Sequence, residues 1–139
     1  MERWLNKVNR LNADSCSDTP PVGFDKAKYV LLGQVICYCE QVEAGAKLCA
    51  QIMFQDKYSS FIQNAVTQED CKILVMNGEK GFKIAFIFKY DWVKLIIDEL
   101  IIKNEENAGP DVLCVWATGK LFGYSDYEIS RYLKMHGYL

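Results

Sequence analysis

The side chains that most often carry out acid–base and nucleophilic chemistry are scarce in this sequence of 139 residues. Its one histidine, His136, lies close to the last residue, where a helix C-terminus favours a solvated imidazolium ion. A single histidine in this place argues against a histidine base or a site with several histidine ligands. A Cys–His pair that uses His136 stays open.

The six cysteines are the second group that could be reactive. They are Cys16, Cys37, Cys39, Cys49, Cys71 and Cys114. Residues 1–7 lack an apolar run of signal-peptide length, and the only close pair, Cys37 and Cys39, lacks the C-x2-C spacing of a zinc site. We therefore predict reduced, buried thiols in a cytoplasmic protein without a metal or other cofactor.

Adjacent carboxylates and closely spaced glycines are the remaining candidates. Neighbouring helix residues such as Asp98 and Glu99 point in different directions, and Glu105 and Glu106 fall in a predicted turn. The two glycines of Gly78-x-x-Gly81 lie in a predicted hairpin and not between a strand and a helix, which argues against a phosphate-binding loop. These residues predict no catalytic site, so we interpret the protein as a binding protein and not an enzyme.

The composition predicts one folded domain over residues 1–139. Half of the residues are apolar and 24 % are charged, whereas disordered chains are poorer in apolar residues. The net charge of −2 gives no overall attraction to nucleic acid or to an anionic membrane. The most apolar stretches, 29–39 and 92–102, are each about half as long as the roughly 20 residues of a membrane span.

Apolar spacing predicts the elements that would position any site. We expect a helix over 2–12, a Pro-containing linker over 14–23, and a long helix over 26–43 that Asp25 caps and Gly45 ends. That helix is apolar on nearly every side, which predicts that it is buried or lies between two layers. Residues 46–54 predict a strand, and Asp56 is expected to cap the helix that follows.

The second half of the sequence predicts a hairpin and three helices. Strands 71–76 and 82–90 flank an Asn-Gly-containing turn, with one face of the second strand in the core and the other partly solvated. Asp91 is expected to cap a helix over 92–103, and Pro110 to begin a helix that reaches Phe122. Ser125 and Glu128 form a predicted capping box for the last helix. Together these elements predict a helix-rich α+β domain with a three-stranded antiparallel sheet.

The last two predicted helices resemble a DNA-binding helix-turn-helix. Such a motif needs a small residue in its first helix, here Gly119, a turn glycine, here Gly123, and apolar positions on its second helix, here Ile129 and Tyr132. A DNA-binding regulator that uses residues 110–136 is therefore the alternative function. The predicted recognition helix begins with acidic residues, which oppose binding to phosphates, and two basic residues could offset them: Arg131 and Lys134.

A second resemblance covers more of the chain. Segments 49–51, 56–91 and GKLFGYSD (119–126) are similar to small proteins of phages and mobile elements. This resemblance implies a protein that blocks a host defence, as anti-CRISPR proteins do, and it assigns no functional residue. The expected partner is a host protein, such as a defence nuclease or its nucleic-acid complex, and a homo-oligomer is compatible with the sequence.

Two charged surfaces are candidates for binding. The acidic residues near the 103–110 turn could occupy a basic groove of a partner, and surface tyrosines such as Tyr127 could contribute. The candidate partner-binding residues are Asp98, Glu99, Glu105, Glu106, Tyr127, Arg131 and Lys134. Lysines near the hairpin, Lys72, Lys83 and Lys89, could bind a nucleic-acid backbone, but lysines also protect sheet edges from unwanted strand pairing.

Overall fold

The computed structural model describes residues 25–107, 109 and 111–139. The helix predicted for 2–12, the linker predicted for 14–23, Cys16 and Pro110 lie outside the described residues. The elements are α1 (Lys26–Glu43), β1 (Cys49–Gln55), a 3-10 helix (Asp56–Tyr58), α2 (Ser59–Gln68), β2 (Lys72–Asn77), β3 (Phe82–Phe88), α3 (Asp91–Glu106), α4 (Val112–Leu121) and α5 (Asp126–Met135). This order confirms the predicted helix-rich α+β fold.

The three strands form an antiparallel sheet in the order β1-β3-β2. Strands β2 and β3 form the predicted hairpin, in which Lys72 pairs with Phe88 and Asn77 with Lys83. Gly81 provides the positive φ of 75° that the hairpin turn requires. Because β1 pairs with the other side of β3, the central strand of the sheet is the second strand of the hairpin.

Helices pack against both faces of this sheet. Ala85 and Ile87 of β3 are fully buried in a core formed with α1 and α2. On the opposite face, Phe88 is buried and Phe86 is partly buried in a second core formed with α3 and α4. The prediction of one core face and one partly solvated face agrees with this strand, because Ala85 and Ile87 are fully buried whereas the opposite face runs from the exposed Phe82 to the buried Phe88.

Helix α1 forms an outer layer of the domain. The Asp25 carboxylate accepts a hydrogen bond from the Lys28 N–H, and Gly45 follows the helix with a φ of 77°, so both predicted ends are confirmed. Tyr29 and Val30 are exposed, so the expectation of a helix covered on all sides is wrong. Although α1 is the longest described helix, neither it nor any other helix of the described residues has the length and apolarity needed to cross a bilayer.

Three of the predicted helix starts need correction. Asp56 lies inside the 3-10 helix and caps no helix with its side chain, and Asp91 is the first residue of α3, where its carboxylate binds Lys72. In both cases a lysine of the sheet lies near the carboxylate that was expected to cap. Helix α4 begins at Val112, and its cap is Asp111, whose carboxylate accepts a hydrogen bond of 2.8 Å from the Cys114 N–H.

Candidate partner-binding surface

Helices α3 and α4 leave an apolar groove between them on the outside of the domain. Helix α3 buries Val93 and Ile97 against the sheet, and its apolar residues extend beyond the width of that contact. Leu95 is 66 % exposed on one wall of the groove, and Leu113 is 58 % exposed on the other. The groove encloses a volume of about 380 Å³. Its lining residues are Leu95, Ile96, Glu99, Leu100, Lys103, Leu113, Cys114 and Ala117.

Exposed apolar residues continue along both helices. Trp92 lies one turn before Leu95 on α3, and Trp116 lies one turn after Leu113 on α4, and both indoles are about half exposed. The Trp92 ring also stacks on Tyr90 with a centroid distance of 5.7 Å. An apolar surface of this kind with tryptophans beside it is typical of protein-binding sites. The sequence pattern did not reveal it, because a wide apolar stripe predicts burial and does not show which side chains extend past the sheet.

Of the predicted acidic residues of α3, Glu99 alone lines this groove. Glu105 and Glu106 are exposed at the end of α3. Asp98 is partly buried and does not line the groove. With Asp91, helix α3 carries five carboxylates, and it carries two lysines, Lys94 and Lys103, so the carboxylates exceed the lysines by three charges. The groove is therefore apolar, its charged lining residues are Glu99 and Lys103, and the helix that forms one of its walls carries a net negative charge.

The three candidate residues of α5 lie on another part of the surface. Tyr127, Arg131 and Lys134 are all exposed. The acidic residues at the start of α5 are engaged within the protein, because Asp126 forms an ion pair with Lys120 and Glu128 completes the capping box. Both residues nevertheless remain exposed to solvent, with the side chain of Asp126 at 85 % exposure.

Helices α4 and α5 pack closely, as the helix-turn-helix resemblance implies. A Cβ atom at Gly119 would lie 2.6 Å from Cγ1 of Ile129, so only glycine fits this contact without a shift. Ile129 is buried, but the expectation that Tyr132 packs with it is wrong, because Tyr132 is 48 % exposed and stacks on the His136 ring. Leu133 takes the second buried position instead, one residue further along the helix.

A second concave surface lies where α4 and α5 meet the end of α3. This cleft has a volume of about 520 Å³, and its lining includes Val115, Phe122, Tyr124 and Ile129. Asn104 also lines it, and the carboxamide oxygen of Asn104 is buried without a hydrogen-bond partner among the described residues. The volume falls within the range of about 300–1,000 Å³ that is common for small-molecule sites.

The lysines predicted to bind nucleic acid do not form one cluster. Lys72 binds Asp91 at the start of β2, whereas Lys83 lies at the other end of the hairpin, where it binds Asn77 and lies 3.8 Å from Asp56. Lys89 lies over the Tyr90 ring, with its Nζ 5.5 Å from the centroid. Of the three, Lys72 alone belongs to an edge strand, so edge protection does not explain Lys83.

The five described cysteines are free thiols, and Cys37 alone of these is exposed. Among the described residues, no group of three or more cysteine, histidine or acidic side chains is arranged to hold a metal ion. Burial raises the pKa of Cys49 to about 12. A hydrogen bond with the Cys71 side chain, together with burial, raises the pKa of Cys39 above its usual range.

These environments predict selective modification of one thiol. In a Cys16→Ser variant of the folded protein at mildly alkaline pH, we expect iodoacetamide to label Cys37 fast and the four buried thiols slowly, because the thiolate is the nucleophile. Peptide mass spectrometry measures the labelled sites. The same reagent in denaturant is the control, and it should label all five. Fast native labelling of Cys39 or Cys49 would contradict this assignment.

The capping box predicts a dependence of stability on pH. Hydrogen bonds from the Ser125 N–H, at 2.8 Å, and from its hydroxyl hold the pKa of Glu128 below its ordinary value of 4.5. A carboxyl group with a lowered pKa in the folded state stabilises the fold above the unfolded-state pKa. This contribution is lost as the pH falls from about 4.5 through the lowered value.

We expect Glu128→Gln to keep the cap but lose this pH dependence, because a carboxamide oxygen accepts the same bonds at any pH. Denaturant unfolding at a series of pH values should show that the free energy of unfolding of wild type falls relative to that of Glu128→Gln as the pH becomes acidic. Glu106→Gln, at an exposed glutamate of α3, is the matched control and should follow the wild-type curve. Equal acid slopes for Glu128→Gln and wild type would refute the prediction.

Comparisons with protein-family models, with curated proteins and with solved structures find no match to this chain. The resemblance to proteins of phages and mobile elements therefore stays a prediction from the sequence, and so does the resemblance to a helix-turn-helix. The function has to be argued from the surface of the protein itself.

Proposed function

We propose that this protein is a non-enzymatic binding protein that covers a surface of a larger host protein. The observation that carries the proposal is the groove between α3 and α4, where Leu95 and Leu113 are exposed beside Glu99. Large exposed leucines gain free energy when a partner excludes water from them, at roughly 25 cal/mol per Å² of apolar surface.

The net negative charge of α3 selects the chemistry of the partner. Glu99, Glu105 and Glu106 repel nucleic acid and other acidic surfaces, and they attract lysine and arginine side chains. A protein that presents an apolar side chain among basic residues is therefore the best complement. The nucleic-acid groove of a nuclease has this combination, since it must neutralise phosphates.

This chemistry agrees with the function that the sequence resemblance implies. We infer that the protein comes from a phage or mobile element and acts in the host cytoplasm on a nuclease of a defence system. Occupation of the basic groove would prevent the nuclease from binding its nucleic acid. Inhibition would then need only contact, without any reactive centre in this protein.

The proposal is tested by purification of the complex from host cells. Tagged wild type should retain a host nuclease in stoichiometric amount, and the isolated complex should neither bind nor cleave its nucleic acid. Leu113→Asp should lose the nuclease, because a carboxylate would have to be buried in an apolar contact. Val30→Asp is the matched control, since Val30 is similarly exposed on α1, and it should retain the nuclease. Absence of a stoichiometric nuclease, or equal retention by the two variants, would overturn the proposal.

The close packing of Gly119 on Ile129 favours a second candidate, a DNA-binding regulator that uses α4 and α5. This candidate predicts retardation of specific DNA in a mobility-shift assay, with a strong salt dependence. Arg131→Ala and Lys134→Ala should weaken that retardation, whereas Leu113→Asp should not. Loss of nuclease binding in Leu113→Asp without any DNA retardation by wild type would favour the first candidate.

A further inference from the structure

One half of the sheet face that carries the α3 and α4 core is uncovered. On this face Met53 of β1, Ile84 of β3 and Met76 of β2 form one row across the sheet, and Phe82 lies in the next row towards the hairpin turn. Met53 is 60 % exposed and Phe82 is 42 % exposed. None of the four belongs to either hydrophobic core of the described residues. We name these four residues the open sheet patch.

The described chain begins at the same end of the sheet as the open sheet patch. The Tyr58 hydroxyl donates a hydrogen bond of 2.9 Å to the Asp25 carboxylate, which fixes the start of α1 beside the residues that follow β1. The Asp56 N–H donates to the Gly81 carbonyl at 2.9 Å, which joins that region to the hairpin turn. The described chain therefore begins next to the hairpin end of the sheet.

The sequence before Asp25 contains a segment suited to an apolar patch. Trp4, Leu5, Val8 and Leu11 recur at helical spacing, so a helix over 2–12 would carry them on one face. Residues 13–24 can span about 40 Å when extended. A path from the layer of α1 to the opposite face of the sheet is about 20 Å, because packed layers lie about 10 Å apart. The linker is therefore long enough.

We propose that residues 2–12 of the same chain dock on the open sheet patch and complete the helical layer on that face. The alternative occupant is a second copy of this protein. Four side chains, two of them partly buried, are far fewer than the roughly 20–30 residues that each partner of a standard interface contributes. A short segment that is already tethered nearby needs less contact, because its effective concentration is high.

Photo-crosslinking in the full-length protein tests this docking. A benzophenone amino acid at position 53 should crosslink to residues 2–12 within one chain, as peptide mass spectrometry of the monomer band would show. The matched control carries the same probe at position 113, where exposure is similar but the side chain lines the groove between α3 and α4 and not the open sheet patch, and it should give no such crosslink. Crosslinks from position 53 to a second copy, or to neither, would overturn the proposal.

Two further variants separate docking from random contact. Val8→Asp places a charge on the apolar face of the segment and should reduce the crosslink from position 53 to the level of the position 113 control. Asn9→Asp makes the same change in charge on the polar face and should leave the yield unchanged. Circular dichroism would verify that both variants fold. An equal yield from the two variants would show that the apolar face of residues 2–12 does not bind the patch.

Discussion

Replacement of Gly119 by valine is expected to lower the free energy of unfolding by about 3 kcal/mol, the upper part of the usual range for overpacking. The new Cβ would lie 2.6 Å from Cγ1 and 2.8 Å from Cδ1 of Ile129. Ile129 cannot turn away easily, because it is buried and because a β-branched side chain in a helix has one strongly preferred rotamer. Helices α4 and α5 would therefore have to separate. Denaturant unfolding followed by circular dichroism measures the loss.

Gly33 offers a matched control for this contact. Both glycines lie inside α-helices, but a Cβ at Gly33 meets nothing within 4 Å. Gly33→Ala should therefore stabilise the protein by about 1 kcal/mol through helix propensity alone. In Gly119→Ala the same gain in helix propensity is expected, but the clash with Ile129 should cost more free energy than that gain. The net effect is therefore destabilising. A stabilising Gly119→Ala would show that the two helices are free to move apart.

A double-mutant cycle tests whether contact with Ile129 causes the loss of stability in Gly119→Ala. In an Ile129→Ala background the clashing Cγ1 and Cδ1 atoms are gone, and the remaining Cβ lies 3.8 Å from the new methyl group, an ordinary contact. Gly119→Ala should then become neutral or stabilising. If Gly119→Ala lowered the free energy of unfolding equally in the Ile129→Ala background, the clash would involve a residue other than Ile129.

The sequence predicted those parts of the fold that depend on residues close to one another in the chain. The capping box at Ser125 and the hairpin around Gly78–Gly81 are confirmed, because their signals lie within a few residues of one another. The pairing of β1 with β3 had no such signal, since the two strands are separated by α2 and β2.

The errors at two helix starts have a tertiary cause. An aspartate before an apolar run is a good local signal for a cap, but Asp91 binds Lys72 of the neighbouring strand, and Asp56 lies 3.8 Å from Lys83. For the candidate site, the sequence predicted Glu105 and Glu106 in a turn, but both lie in the last turn of α3, so that prediction is wrong. The sequence did not predict the groove. Leu95 and Leu113 belong to apolar helical stretches that predict burial, but both side chains are exposed in the structure.

Replacement of Gly123 by alanine is the second change with a large expected effect, a loss of about 3 kcal/mol. Gly123 follows α4 with a φ of 83°, a conformation that costs other residues about 1–2 kcal/mol. Its Cβ would also lie 2.8 Å from the carbonyl oxygen of Ala46 and 3.0 Å from Cβ of Lys47. The carbonyl belongs to the backbone and cannot move aside, so a packing cost of about 1–3 kcal/mol adds to the conformational one.

Gly45 isolates the packing part of this effect. It follows α1 as Gly123 follows α4, with a φ of 77° and the same pattern of hydrogen bonds, but a Cβ there meets nothing within 4 Å. Gly45→Ala should therefore lose only the conformational 1–2 kcal/mol. A larger decrease in the free energy of unfolding for Gly123→Ala than for Gly45→Ala would show that the turn between α4 and α5 packs tightly on residues 46–47. Equal losses would mean that the turn does not press on that loop, and that Gly123 is needed for its φ angle alone, as in an independent helix-turn-helix.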